Sequence, residues 1–102
     1  MARLVAVYKT PKDAAAFDEY YFQKHLPIAK KIPGLRRYEV NEGPVGMPME
    51  PGAVHLVAFL HFDSLEAIQQ AFASPEGQAA AADIPNFATG GAELWVMATK
   101  EV

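Results

Sequence analysis

Leu4-Val5-Ala6-Val7-Tyr8 is apolar at every position, the pattern of a strand covered on both faces. Thr10-Pro11-Lys12-Asp13 predicts a helix start: threonine as cap, proline at the first helical position, an acid three residues after the cap. Phe17, Tyr20 or Tyr21, Lys24 or His25, and Ile28 then recur at spacings of three and four, so they line one face. Pro27 disfavours helical geometry at Leu26. The first helix is therefore expected to stop near His25, with Pro27 opening a second short turn that Pro33-Gly34 ends.

Leu35 to Asn41 alternates, and predicts a strand with at least one wet face. Glu42 to Gly52 holds three prolines and three glycines among eleven residues and is expected to be a long loop, of the kind that serves as a lid or a mobile connector. Val54 to Phe62 is the clearest strand. Its even positions are wholly apolar, whereas its odd positions place His55 and His61 on one face with Val57 and Phe59. Asp63-Ser64-Leu65-Glu66 reads as a capping box with Asp63 as the cap, opening a helix through Ile68, Phe72 and Ala73. Ser74-Pro75-Glu76 caps a further alanine-rich helix to about Ala82. A loop follows from Asp83 to Gly91, and Glu93 to Thr99 is the last strand, with Trp95 on the parity opposite Leu94 and Val96.

The order strand, helix, strand, strand, helix, strand predicts an α+β domain over residues 1–102: a ferredoxin-like βαββαβ arrangement with a four-stranded antiparallel sheet and its helices on one face. The other face is too apolar to leave in water, so a homodimer through sheet faces is expected. The hydrophobic fraction of 51% in 102 residues points the same way. A net charge of −3 argues against nucleic acid, and Lys30-Lys31 with Arg36-Arg37 reads as solvated charge. With no cysteine, no signal-peptide pattern and no long apolar run, the expectation is a soluble, cytoplasmic protein that does not enter a membrane.

The candidate chemistry gathers on the first helix. His25, placed near a helix C-terminus, would have its protonated form favoured by the dipole, by ~0.3–1 kcal/mol when exposed and up to about 2 when partly buried. That puts it near the pH at which a general acid or base works, with Tyr21 one turn before it and Tyr20 beside it to orient it. The alternative is that His25 merely donates to a free terminal carbonyl. His55 is expected to face solvent. His61 is either an interface histidine or a pocket base, and Tyr8, Tyr38 and Trp95 are candidates to line an aromatic cavity. No histidine pair has metal-ligand spacing, and Gly43-Pro44-Val45-Gly46 lacks the lysine and helix of a nucleotide loop, so neither a metal nor a bound cofactor is predicted.

The run Phe17-x-x-Tyr20-Tyr21-x-x-x-His25-x-Pro27-Ile28-Ala29-x-x-Ile32-Pro33-Gly34-Leu35 resembles the EthD family of the dimeric α+β barrel superfamily. Phe62-Asp63-Ser64 and Asp83-x-x-Asn86-Phe87 add to the likeness. The resemblance implies two protomers joining their sheets into a barrel, with a pocket between sheet and helices or inside the barrel. It is named for degradation of a tertiary alkyl ether, its members are often labelled reductases, and its superfamily includes cofactor-free cyclases, isomerases, monooxygenases and haem enzymes. Three readings follow. One is cofactor-free acid–base chemistry on a small apolar or aromatic compound (isomerisation, cyclisation or decarboxylation). The second is a non-catalytic accessory dimer serving a catabolic oxygenase, and the third a haem-handling barrel with a histidine as axial ligand.

Overall fold

The computed structural model describes residues 1–47, 50–51 and 54–102. Strand β1 (Ala2–Lys9) lies between β5 (Val54–Phe62) and β6 (Ala92–Ala98), and β2 (Arg37–Val40) pairs on the far side of β5. The order is β2-β5-β1-β6, and every pairing is antiparallel. This is the ferredoxin-like α+β sheet that the pattern predicts. Between β2 and β5, Gly46–Met47 (β3) pairs with Glu50–Pro51 (β4), so the expected long loop carries a short ribbon of its own; Pro48, Met49, Gly52 and Ala53 lie outside the described residues.

Register assigns the two faces. Ala2, Leu4, Ala6 and Tyr8 stand beside Phe62, Leu60, Ala58 and Leu56 on one side and Ala98, Val96, Leu94 and Ala92 on the other. From β2, Tyr38 and Val40 join this face opposite Leu60 and Ala58. It is the face the helices cover, and most of the core sits on it. The opposite face carries Arg3, Val5, Val7, Val57, Phe59, His61, Arg37, Glu39, Glu93, Trp95 and Met97. There Trp95 is 57% exposed, Met97 41% and Phe59 38%.

Asp13, not Thr10, caps the first helix: its carboxylate accepts from the Ala16 amide at 3.0 Å. The helix does not stop at His25. Helix α1 (Ala14–Tyr20) passes into a π-helical turn (Tyr21–His25) and on to α2 (Leu26–Ala29) without a break. Proline in an α-helix would press its ring on the carbonyl four residues back and leave that carbonyl without a donor. A wider turn, closed by the Leu26 N–H donating to the Tyr21 carbonyl, lets the chain pass Pro27 and stay helical. Past α2, Gly34 takes φ of +82°, a conformation that favours glycine, and turns the chain toward β2.

Helix α3 (Leu65–Ala73) is capped by Ser64 rather than Asp63, with the Ser64 hydroxyl accepting from the Ala67 amide. Asp63 instead holds Arg36 at 2.8 Å. Ser74 ends α3 and caps α4 (Pro75–Asp83) at once, donating to the Ala71 carbonyl and accepting from the Gly77 amide. A 3-10 turn (Ile84–Asn86) leads back to β6. No helix among the described residues is long and apolar enough to cross a membrane.

Candidate active site

The π-helical turn decides what faces inward. Because it winds more widely than 3.6 residues per turn, residues four apart come closer to one line, and Tyr21 and His25 stack along the buried side with ring centroids 5.3 Å apart. Phe22, between them in sequence, is left 45% exposed. Tyr21 and Tyr8 pack edge to face at 5.7 Å, and Phe87 closes against Tyr8, Phe17, Tyr21 and His25 at 5.3, 5.3, 5.6 and 4.6 Å. The imidazole is thus held by rings on several sides.

Its Nδ1 lies 2.9 Å from Oδ2 of Asp83, the last residue of α4. Asp83 also accepts at Oδ1 from the Tyr20 hydroxyl at 2.6 Å and the Asn86 amide at 2.9 Å. Burial works to raise the Asp83 carboxyl, but the hydrogen bonds from Tyr20, Asn86 and His25 together outweigh it and hold the group below its ordinary range. An ionised carboxylate only accepts, so Nδ1 carries the proton and Nε2 the lone pair. Burial lowers the His25 pKa from its ordinary value, with Asp83 opposing, so the imidazole is neutral at neutral pH.

The hydrogen bond of His25 to Asp83 runs through Nδ1, and among the described residues no sealed side-chain nitrogen or oxygen lacks a partner. Nε2 therefore gives onto the space His25 lines, a chamber of about 300 Å³ between the helices and the covered sheet face. Leu4, Leu60, Ile68, Phe72 and Val96 form most of its wall, and Tyr8, Tyr38 and Gln69 are the other polar lining side chains. No lysine, arginine, aspartate or glutamate among the described residues lines it. Ala6 lies on its floor, where a single methyl group leaves room above the sheet.

A match to the EthD domain model runs over residues 9–91. The chain belongs to the EthD family. This EthD protein is 44% identical over 94 residues to an uncharacterized 11.0 kDa protein of the thcB-thcC intergenic region in Rhodococcus erythropolis, covering 92% of the chain and 90% of the relative. The crystal structure of an EthD family protein from Bacillus halodurans superposes with a TM-score of 0.89 at 38% identity, covering 98% of this chain and 99% of that one. SnoaB, described as a cofactor-independent oxygenase from Streptomyces nogalater, shares the fold alone: TM-score 0.69 at 15% identity, covering 99% and 94%. Two further neighbours of the fold are described as dimeric.

Of the residues singled out in the sequence, the EthD chamber brings together His25, Tyr8 and Tyr38, with Tyr21 directly behind, its hydroxyl 2.5 Å from that of Tyr38. Tyr20 is beside the site rather than in it, and orients Asp83 instead of His25. His61 and Trp95 are on the other side of the sheet: His61 bonds Glu39 at 2.6 Å across the open face, away from the chamber. The helix-terminus argument for His25 does not hold, because the helix runs on to Ala29 and burial moves the imidazole opposite to the dipole's direction. His55 is half-buried, with part of its side chain still at the surface. It meets the Phe17 ring edge-on at 5.0 Å and bonds Asp18 at 2.7 Å, at a point where the β1–β5 register shifts.

Among the described residues no three metal-ligating side chains gather. At about 300 Å³, the chamber is at the small end of ligand pockets, ~300–1,000 Å³.

The His25 shift has a consequence for stability. Its folded value lies below the ordinary 6.5, so at pH below 6.5 the unfolded chain binds the proton more readily and the native state loses ground until the folded value is passed. Asp83, depressed below 3.8, adds a second loss as the pH falls from 3.8 through its lower folded value. Urea midpoints for wild type and His25→Gln, compared at pH 7.5 and 5.5, should show the larger fall in the wild type. An equal fall in both would mean that His25 carries no such shift.

Proposed function

We propose that this EthD protein holds a small, uncharged apolar or aromatic compound in the chamber and moves a proton on it with His25, without a tightly bound cofactor. The observation that carries this reading is the imidazole itself: one nitrogen tied to a stabilised carboxylate, the other open to a dry, uncharged space. A neutral imidazole in that tautomer is a general base, and Asp83 stabilises the imidazolium that forms when it takes a proton. One-proton chemistry of this kind suits isomerisation, cyclisation or decarboxylation. That a protein of the same fold is described as a cofactor-independent oxygenase supports chemistry without a cofactor here. Native mass spectrometry for retained ligand, joined to a turnover assay of that ligand, tests the reading. Ligand bound and transformed by wild type but not by His25→Gln is expected; ligand bound and never transformed would make this an accessory binding protein instead.

The open sheet face is proposed to be covered by a second copy. Trp95, Phe59 and Met97 are exposed there beside Val5, Val7 and Val57, a patch large for a monomer, and fold neighbours are described as dimeric. Trp95→Glu, placing an unpaired charge at the most exposed aromatic of the patch, should cost about 2 kcal/mol or more of association. In sedimentation equilibrium the wild type should be a dimer and the variant shifted to monomer. A monomeric wild type would end this part of the reading.

A further inference from the structure

Tyr8 and Tyr38 line the same chamber as His25, Tyr21 stands behind with its hydroxyl on that of Tyr38, and their hydrogen bonding has a direction. Tyr21 is completely buried, and its hydroxyl meets only that of Tyr38 among the described residues. If Tyr38 donated, the Tyr21 proton would be left in the core without an acceptor, at ~1–3 kcal/mol. Tyr21 therefore donates, and the proton of Tyr38 is free to point into the chamber that Tyr38 lines. Tyr8 is the second donor. It is only 2% exposed, and its hydroxyl has no hydrogen-bond partner among the described residues, yet no sealed polar side-chain atom there is unsatisfied. Its O–H accordingly opens onto the same chamber. Burial raises the pKa of Tyr8 and of Tyr38; Tyr38 adds to the rise at Tyr8, and the bond from Tyr21 only partly offsets burial at Tyr38, so both donors keep their protons at neutral pH.

A base and two unspent O–H donors in an uncharged pocket specify a class of ligand. An ionic compound would lose its hydration with no countercharge among the lining residues. A hydrocarbon would leave both donors unused. A neutral carbonyl compound supplies an acceptor for the phenols and an acidified C–H for the imidazole. Resting on the reading of His25 given above, we infer that the substrate is an uncharged, enolisable ketone, and that Tyr8 and Tyr38 hold its oxygen as the enolate forms. The Nε2 lone pair takes a proton from the carbon beside the carbonyl. The C–H electron pair becomes a C=C bond, and the carbonyl π pair moves onto oxygen between the two phenols. Return of the proton from the imidazolium, to the same carbon or to a conjugated one, completes an exchange or an isomerisation in which nothing is oxidised or reduced. Charge grows on oxygen only in the transition state, so donors placed there favour reaction over binding.

β-Tetralone, an enolisable aromatic ketone, and tetralin, its hydrocarbon counterpart, provide the test. Deuterium uptake at the α carbons in heavy water, followed by proton NMR, reads the proton transfer, and titration with tetralin reads the integrity of the chamber. Wild type should accelerate uptake, His25→Gln should abolish the acceleration, and Tyr8→Phe and Tyr38→Phe should each reduce it by ~10²-fold, as loss of one oxyanion donor does. Tetralin affinity should be the same in wild type and both phenylalanine variants. Uptake at the wild-type rate in both phenylalanine variants, or tetralone bound without uptake in wild type, would overturn the assignment while leaving the chamber as a ligand site. Failure of wild type to bind either compound would instead remove the reading of the chamber on which the assignment rests.

Discussion

His25→Gln should lower proton transfer in the chamber by ~10²–10⁴-fold, the usual contribution of a positioned general base. Glutamine can still donate to Asp83, so the buried carboxylate keeps its partner and the fold is expected to survive. Asp83→Asn should be nearly as damaging although Asp83 need not touch the substrate. An asparagine amide can donate to Nδ1 where the carboxylate only accepts, and that would place the proton on Nε2, the nitrogen that must be free. In a comparable imidazole–carboxylate pair this exchange of acceptor for donor costs ~10⁴ in rate with geometry intact. The two variants should therefore fail in kcat with little change in ligand affinity. If Asp83→Asn kept wild-type turnover, Asp83 would be structural only, and the tautomer argument would be wrong.

Gly77→Ala should be strongly destabilising, at about 3 kcal/mol by urea unfolding, the upper end of the typical overpacking cost of ~1–3 kcal/mol. A Cβ at Gly77 would stand 2.1 Å from the Ala71 carbonyl oxygen and 2.7 Å from the Phe72 Cα, both backbone atoms that cannot swing aside. Alanine's better helix propensity, about 1 kcal/mol over glycine, is not enough to offset that. The glycine lets α4 fold back against the end of α3 after the single-residue link at Ser74. Both helices wall the chamber, through Ile68 and Phe72 from one and Ala80 from the other. Wedging them apart should thus weaken ligand binding as well as stability. A Gly77→Ala protein with an unchanged urea midpoint would show that the two helices part at little cost.

Much of the fold is legible in the chain because local signals agree with it: an alternating strand at Leu35 to Asn41, a serine cap at Ser74, and an apolar run at Val54 to Phe62. The errors arise where tertiary structure overrides a local rule. Pro27 has the chemistry of a helix stop, and only the π-helical turn, which depends on packing Tyr21 and His25 inward, carries the helix past it. At the site, His25 stands out by composition, but its partner does not. Asp83 is 58 residues away and looks like an ordinary helix-end acid, because spacing along a chain says nothing about which helix ends meet. The Asp83-x-x-Asn86-Phe87 run held the signal: three positions that prove to be the carboxylate, its amide donor and the ring over the imidazole. The strand aromatics divide by face. Parity separates Trp95 from Leu94, but which parity meets the helices is decided only by the pairing with β1.

Leu94 and Val96 belong to the covered face by register and line the chamber, yet they are 48% and 50% exposed. The helices stop short of this border strand, so the doorway is a permanent gap along the sheet's rim and not a gate that must swing. On the reading proposed above, a ligand enters and leaves without any rearrangement of the backbone, so size and greasiness, not a closing motion, sort what binds. Trp95, between those two residues in sequence, looks the other way. One short strand thus serves as threshold on one side and as a would-be handshake on the other, and a twin pressed against the second would leave the first clear.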